Sequence, residues 1–182
     1  MKKIAVIAAV SLTIIIALSF AVFMIIAWRY NGELPFTAPS YRKADRFLSK
    51  NIDVMSRVSD ALFDMDYAAV GIRHDADADE KLTMTVRRDT YNHEEAPIPN
   101  ELLASVQHLL KCGIVVISRG SGTVNYTMWS AMDESRGIIF SQSGEAPDGE
   151  QLYEVRKLSE DGWYYYIHNY EKAKAKNPQL FE

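Results

Sequence analysis

Asp75-Ala76-Asp77-Ala78-Asp79 sets carboxylates at alternate positions, the opening pattern of a calcium-binding loop. Such a loop needs glycine at its sixth position for a sharp turn and a bidentate glutamate at its twelfth. Glu80 and Val86 stand there instead, so the segment reads as a solvated turn. His108 and Cys112 lie four apart on a predicted helix, a spacing that aims two metal donors the same way. A structural zinc site takes four ligands, and no further His or Cys pair accompanies these two. Cys112 therefore reads as a small packed apolar residue. Ser118-Arg119-Gly120-Ser121-Gly122 lacks the G-x-S-x-G spacing of a nucleophile elbow, and the nine glycines compose neither a P-loop nor a dinucleotide fingerprint. His93-Glu94-Glu95, in a predicted loop before Pro97, places an imidazole beside two carboxylates. It is the grouping from which a loop-assembled hydrolase site would be drawn. None of these assigns a catalytic residue, a metal ligand or a cofactor.

The richest stretch for recognition is Gly162-Trp163-Tyr164-Tyr165-Tyr166-Ile167-His168-Asn169-Tyr170. On a strand, successive side chains alternate between faces. Trp163, Tyr165 and Ile167 would line a core, while Tyr164, Tyr166, His168 and Tyr170 would form a ladder on the other face. Aromatic rings with hydroxyl tips supply flat contact area and hydrogen bonding together, the chemistry of a ligand or partner surface. The competing reading is that aromatic residues simply favour strands and pack against cross-strand neighbours.

These groups must be positioned by the elements around them. Ser40 is suited to cap a helix running to about Phe63, because Ala44, Phe47, Leu48, Ile52, Met55, Val58 and Leu62 recur every three or four residues. Tyr67–His74 and Lys81–Arg88 read as a strand pair; in the second, Leu82, Met84 and Val86 alternate with Thr83, Thr85 and Arg87. A second helix spans about Asn100 to Cys112, followed by Gly113. Ile114-Val115-Val116-Ile117 reads as a strand buried on both faces. Thr123–Ser130, Gly137–Ser141 and Trp163–His168 read as further strands, with Leu152–Leu158 of open type and a frayed helix or tail from Glu171. The expected fold class is α+β: an antiparallel sheet with two helices packed on it. This order of elements is similar to PAS-like and profilin-like domains, including membrane-anchored ligand sensors of the Cache type. The resemblance covers most of the chain after the linker, rests on no motif, and carries over no functional residue.

From Ile4 to Trp28 the chain runs 25 residues without a charge. As a helix this run would extend about 37 Å, against a hydrocarbon core of about 30 Å. Trp28-Arg29-Tyr30 has the composition of a membrane interface. A cleaved signal peptide is the rival reading, but its apolar region is usually about 7–15 residues and this one is longer. Lys2 and Lys3 favour a cytoplasmic N-terminus, opposed by Arg42, Lys43 and Arg46 beyond the span. The expected organisation is a short cytoplasmic end at 1–3, a transmembrane helix at 4–28, a linker at 29–40, an α+β domain at 41–170 and a tail at 171–182.

All 24 acidic residues follow Trp28, with 18 of the 20 Lys and Arg, leaving that part at net −6. An acidic domain repels phosphate backbones, so no nucleic-acid partner is expected. One cysteine allows no internal disulfide. The sequence thus describes a single-pass protein of the cell membrane, its lipid partner engaged by 4–28. It displays an extracytoplasmic, non-enzymatic binding or sensing module for a protein or small molecule. A membrane-bound hydrolase and an immunity or inhibitor protein are the alternatives.

Overall fold

The structure, a computed structural model, describes residues 38–74, 82–88, 92–149 and 151–176, with Ser19 besides. The predicted span at 4–28, the linker up to residue 37 and the turn Asp75–Glu80 lie outside the described residues, Ser19 apart, as does the chain after 176. Among the described residues no helix is long and apolar enough to cross a membrane. The part from Ala38 onward is one compact unit.

Helix α1 spans Tyr41–Phe63, and Ser40 accepts a hydrogen bond from the Lys43 amide at its start. The predicted stripe is the buried one: Ala44, Leu48, Met55, Val58 and Leu62 are enclosed, with Phe47 and Ile52 packed at the margin. Its first turn contains no acidic residue and carries Arg42 and Lys43, with Arg46 just beyond. A helix N-terminus bears partial positive charge, so each cation there opposes the macrodipole, by about 0.3–1 kcal/mol where exposed.

Strands β1 (Ala69–His74), β2 (Leu82–Arg87) and β3 (His93–Ala96) run antiparallel to one edge, and helix α2 (Asn100–Lys111) carries the chain back over the sheet. Strand β4 (Val116–Arg119) then pairs with β1. It is followed by β5 (Thr123–Ala131), β6 (Glu134–Ser141), β7 (Leu152–Lys157), β8 (Trp163–Asn169) and helix α3 (Tyr170–Lys176). One antiparallel sheet of eight strands results, in the order β3-β2-β1-β4-β5-β6-β8-β7. The α+β class is as expected, with three helices among the described residues.

Alternation divides the sheet. Val70, Ile72, Met84, Val86, Ile117, Tyr126, Ile138 and Tyr165 fall on the face that shares its core with α1 and α2. The opposite face holds Thr85, Gly71, Ser118, Asn125, Ile139 and Tyr164 in one register-aligned row. The core is tied by a buried polar pair: the Tyr126 hydroxyl donates to the Met55 carbonyl at 2.7 Å and lies 2.8 Å from Ser59 Oγ. Tyrosine has one hydroxyl proton, so Ser59 is the donor in the second bond.

The start of α1 is locked to the β7–β8 hairpin. Tyr165 donates to the Pro39 carbonyl at 2.9 Å, Tyr41 to the Lys157 carbonyl at 2.7 Å, and the Ser159 amide to Asp45 Oδ1 at 2.9 Å. The Tyr41 and Lys176 contacts, the latter to the Tyr153 carbonyl at 3.3 Å, occupy acceptors along edge strand β7 and blunt it against pairing with another chain.

Several expectations are corrected. His93–Ala96 is an edge strand rather than part of a loop, and charged residues suit an exposed edge. The run after Gly113 is not a strand buried on both faces: β4 begins only at Val116, Ile117 is enclosed on the helix side and Val116 half-buried on the other, and before the strand Ile114 is enclosed while Val115 is 44% exposed. Cys112 is exposed rather than packed. Leu152–Lys157, left open by the sequence, is a strand.

Candidate functional site

The open face carries a cleft of about 900 Å³ between strands β5 and β6 and the loop 142–149 that follows β6. Thr123 and Asn125 of β5 with Ile139 and Ser141 of β6 form its floor; Glu145, Pro147 and Asp148 stand on the loop side. Gln151 and His168 close one end.

The loop is held over the sheet by named bonds. The Gln142 amide donates to the Gly122 carbonyl at 2.9 Å and the Gly144 amide to the Ser141 carbonyl at 3.1 Å. The Glu145 amide donates to Ser143 Oγ at 3.2 Å, and Ser143 in turn pairs with Ser141 Oγ at 3.2 Å. Gly144 takes φ of +75°, a left-handed conformation that glycine adopts without a Cβ clash. Tyr164 then donates to the Gly144 carbonyl at 2.7 Å and fixes the loop from beneath.

This arrangement decides the fate of the predicted tyrosine ladder. Tyr164 and Tyr166 do share the face opposite the helices, but both are buried and their hydroxyls are engaged. Tyr166 lies opposite Gly137, which lies opposite Thr127, and the Tyr166 hydroxyl crosses that row to Thr127 Oγ1 at 2.8 Å. Glycine leaves the row open on the β6 side. It is required there for a second reason: a Cβ on Gly137 would sit 2.1 Å from the Tyr126 carbonyl oxygen. Burial pushes the Tyr166 hydroxyl pKa above its ordinary value, partly offset by the bond from Thr127. The expectation of an exposed ladder is corrected by this burial: Tyr164 is tied to Gly144 of the loop and Tyr166 to Thr127 across the sheet.

His168 is half-buried, lines the cleft, and pairs through Nε2 with Gln151 Oε1. Burial lowers its pKa from the ordinary histidine value, which keeps the ring neutral at neutral pH. Tyr170, at the start of α3, lies outside this cleft and lines a smaller depression of about 450 Å³ beside the β5–β6 turn, to which His168 also contributes. There Glu134 holds α3 down through Lys172 Nζ at 2.7 Å and also accepts from Nδ2 of Asn169, at the end of β8, at 3.2 Å. The Lys172 bond comes first among the influences that lower its carboxyl pKa, assisted by Arg136.

The other groups singled out by the sequence do not converge. His93 and Glu95 fall on one face of β3 and Glu94 on the other, where Glu94 pairs with Arg88 at 2.9 Å. His108 Nε2 lies 3.1 Å from Asn51 Oδ1 and 3.7 Å from Cys112 Sγ. Asn51 Nδ2 donates to the Phe47 carbonyl at 2.9 Å, so Oδ1 must face the histidine, and the ring proton sits on Nε2. The ring nitrogen nearest Cys112 Sγ is thus engaged by Asn51. Among the described residues no group of three or more His, Cys, Asp or Glu side chains is placed to hold a metal ion.

Sequence reasoning reached His168 but missed the cleft floor. The signal was available in β5, where Thr123, Asn125 and Thr127 alternate with buried Val124 and Tyr126: a polar face on a strand whose other side is core. Comparison with known protein families, with curated proteins and with solved structures finds no match.

Proposed function

We propose that the protein is a single-pass, membrane-anchored binding or sensing module, displayed outside the cytoplasmic membrane, that takes a small polar molecule or a segment of a partner in the cleft beneath loop 142–149. The observation that carries this reading is the cleft itself. Asn125 and Thr123 face it from a rigid strand, and their side chains make no hydrogen bond among the described residues. Rigid-strand placement with unengaged donors and acceptors is what a recognition site requires. Ile139, opposite Asn125 on β6, adds an apolar patch beside them. His168, neutral and half-buried, offers at the end of the cleft a group able to donate or accept. The charge-free run at 4–28 and the linker behind it supply the tether. The order of elements, similar to PAS-like and profilin-like domains, suits a scaffold that presents one face of a sheet to ligands.

Site-specific photo-crosslinking in native membranes tests the reading. A benzophenone amino acid at Asn125 or Gln142 should give adducts absent from the same probe at Glu101, an exposed position on α2. Equal yields at all three positions, or none at the cleft positions, would remove the cleft as a binding site.

A further inference from the structure

We propose that the exposed row Arg42, Arg46 and Lys50 on the first half of α1 is a docking surface for anionic lipid headgroups. The residues lie at i, i+4 and i+8, one above another on the solvent side of the helix, and all three are exposed. Among the described residues none has a carboxylate within ion-pair distance. Elsewhere Arg88, Arg136, Arg156, Lys157 and Lys172 each hold one. Asp45, the acidic residue nearest the row in the first half of the helix, is engaged by the Ser159 amide. Beyond Lys50 the exposed positions turn acidic, with Asp53, Asp60 and Asp64 against Arg57. Positive charge is therefore concentrated at the end where the chain enters the domain, although the domain as a whole is acidic.

That concentration runs against the helix's own electrostatics. The first turns of a helix favour Asp and Glu, and this one supplies Arg and Lys with no acidic residue. At Arg42 this local rule is broken with no ion pair among the described residues, as is expected at positions that serve function. Chain length brings a membrane within reach: Tyr41 follows Trp28 by 13 residues, so the row starts within about 45 Å of the end of the apolar run. Anionic headgroups complement the row in charge, and each surface Lys or Arg adds to such binding cooperatively with the tether.

This inference rests in part on the anchor reading, and flotation separates the two. Full-length protein is mixed with vesicles of phosphatidylcholine alone or with phosphatidylglycerol added. A bimane on S49C, in a C112S background, is read by quenching from a headgroup nitroxide lipid. Flotation with both vesicle types, with quenching severalfold stronger on anionic vesicles and reversed by high salt, is the expected result. Flotation with anionic vesicles alone would refute the anchor and leave the docking row standing. Reversing the row with R42E, R46E and K50E should lower docking on anionic vesicles by about a hundredfold. Because Glu suits the helix N-terminus, R42E should melt no lower than the wild type, which separates loss of docking from loss of fold. Equal quenching on both vesicle types, or undiminished docking by the reversed row, would overturn the proposal.

Discussion

Replacing Tyr126 with Phe removes one oxygen from a ring that is 0% exposed, and the structure allows the cost to be worked through. Two hydrogen bonds vanish, to the Met55 carbonyl and from Ser59. Each contributes about 0.5–1.5 kcal/mol net. Ser59 lies four residues after Met55 on α1, so its freed hydroxyl can turn back to the Met55 carbonyl and recover one bond. The net loss should be about 0.5–1.5 kcal/mol, a fall of roughly 2–6 °C in Tm for a domain of this size. S59A alone removes one of the two bonds. The double variant has no Ser59 hydroxyl with which to recover the bond to Met55, so it should lose about the sum of the singles, whereas a double that loses less would show that the recovery does not occur. A second signature lies in alkali. Burial raises the Tyr126 pKa well above its ordinary value, with burial also raising Tyr165 and Tyr166. A raised folded-state pKa gives stability that is complete below the unfolded value of about 10 and is lost as pH rises through the folded value. Tyr126→Phe should flatten that alkaline loss without abolishing it. Melting curves of the full-length protein in detergent, at neutral pH and above pH 10, provide the assay. A Tm at neutral pH within about 1 °C of wild type, or an unchanged alkaline slope, would refute the reasoning.

Gly137→Ala should destabilise by about 3 kcal/mol, the upper end of overpacking costs, since its Cβ would meet the Tyr126 carbonyl oxygen at 2.1 Å; a wild-type denaturation midpoint would contradict this. Tyr164→Phe breaks the bond to Gly144, costing about 1 kcal/mol. It should speed amide hydrogen exchange in 142–149 while the β5 core stays protected, and unchanged loop exchange would show that the loop is held otherwise. His168 should titrate in NMR below the ordinary histidine range. Its lowered pKa means that the associated stability is complete above the unfolded value of about 6.5 and is lost as pH falls through the folded one; a raised pKa would reverse the sign and sink the reading.

Much of the fold is legible in the residues. The three- and four-residue spacing of α1 and the period-two alternation of β2 named their buried sides, because one buried face imposes one period. Strand β3 was not legible: His93-Glu94-Glu95-Ala96 carries no β-branched or aromatic residue, and its pairing with β2 is a tertiary fact. The same limit applies to Tyr164 and Tyr166. Alternation placed them correctly opposite the core, but the bonds that bury them, from Tyr164 to Gly144 and between Tyr166 and Thr127, are not written in their own spacing. Trp163-Tyr164-Tyr165-Tyr166-Ile167 does contain a hint, since five apolar or aromatic residues without interruption are the pattern of a strand covered on both sides. The cleft was missed for a related reason: its floor and its loop wall are separate in sequence, and only the β5–β6 register and the bond from Tyr164 bring them together.

A binding domain tethered to a membrane and displayed on its outer side is tested most directly by protease accessibility of a C-terminally tagged copy in intact spheroplasts, with carbonate extraction of the untreated sample. The account predicts a full-length band retained in the carbonate pellet, and a tag lost to protease without lysis. A tag protected until lysis, a band released by carbonate, or a band shortened by the length of the N-terminal apolar segment would contradict it.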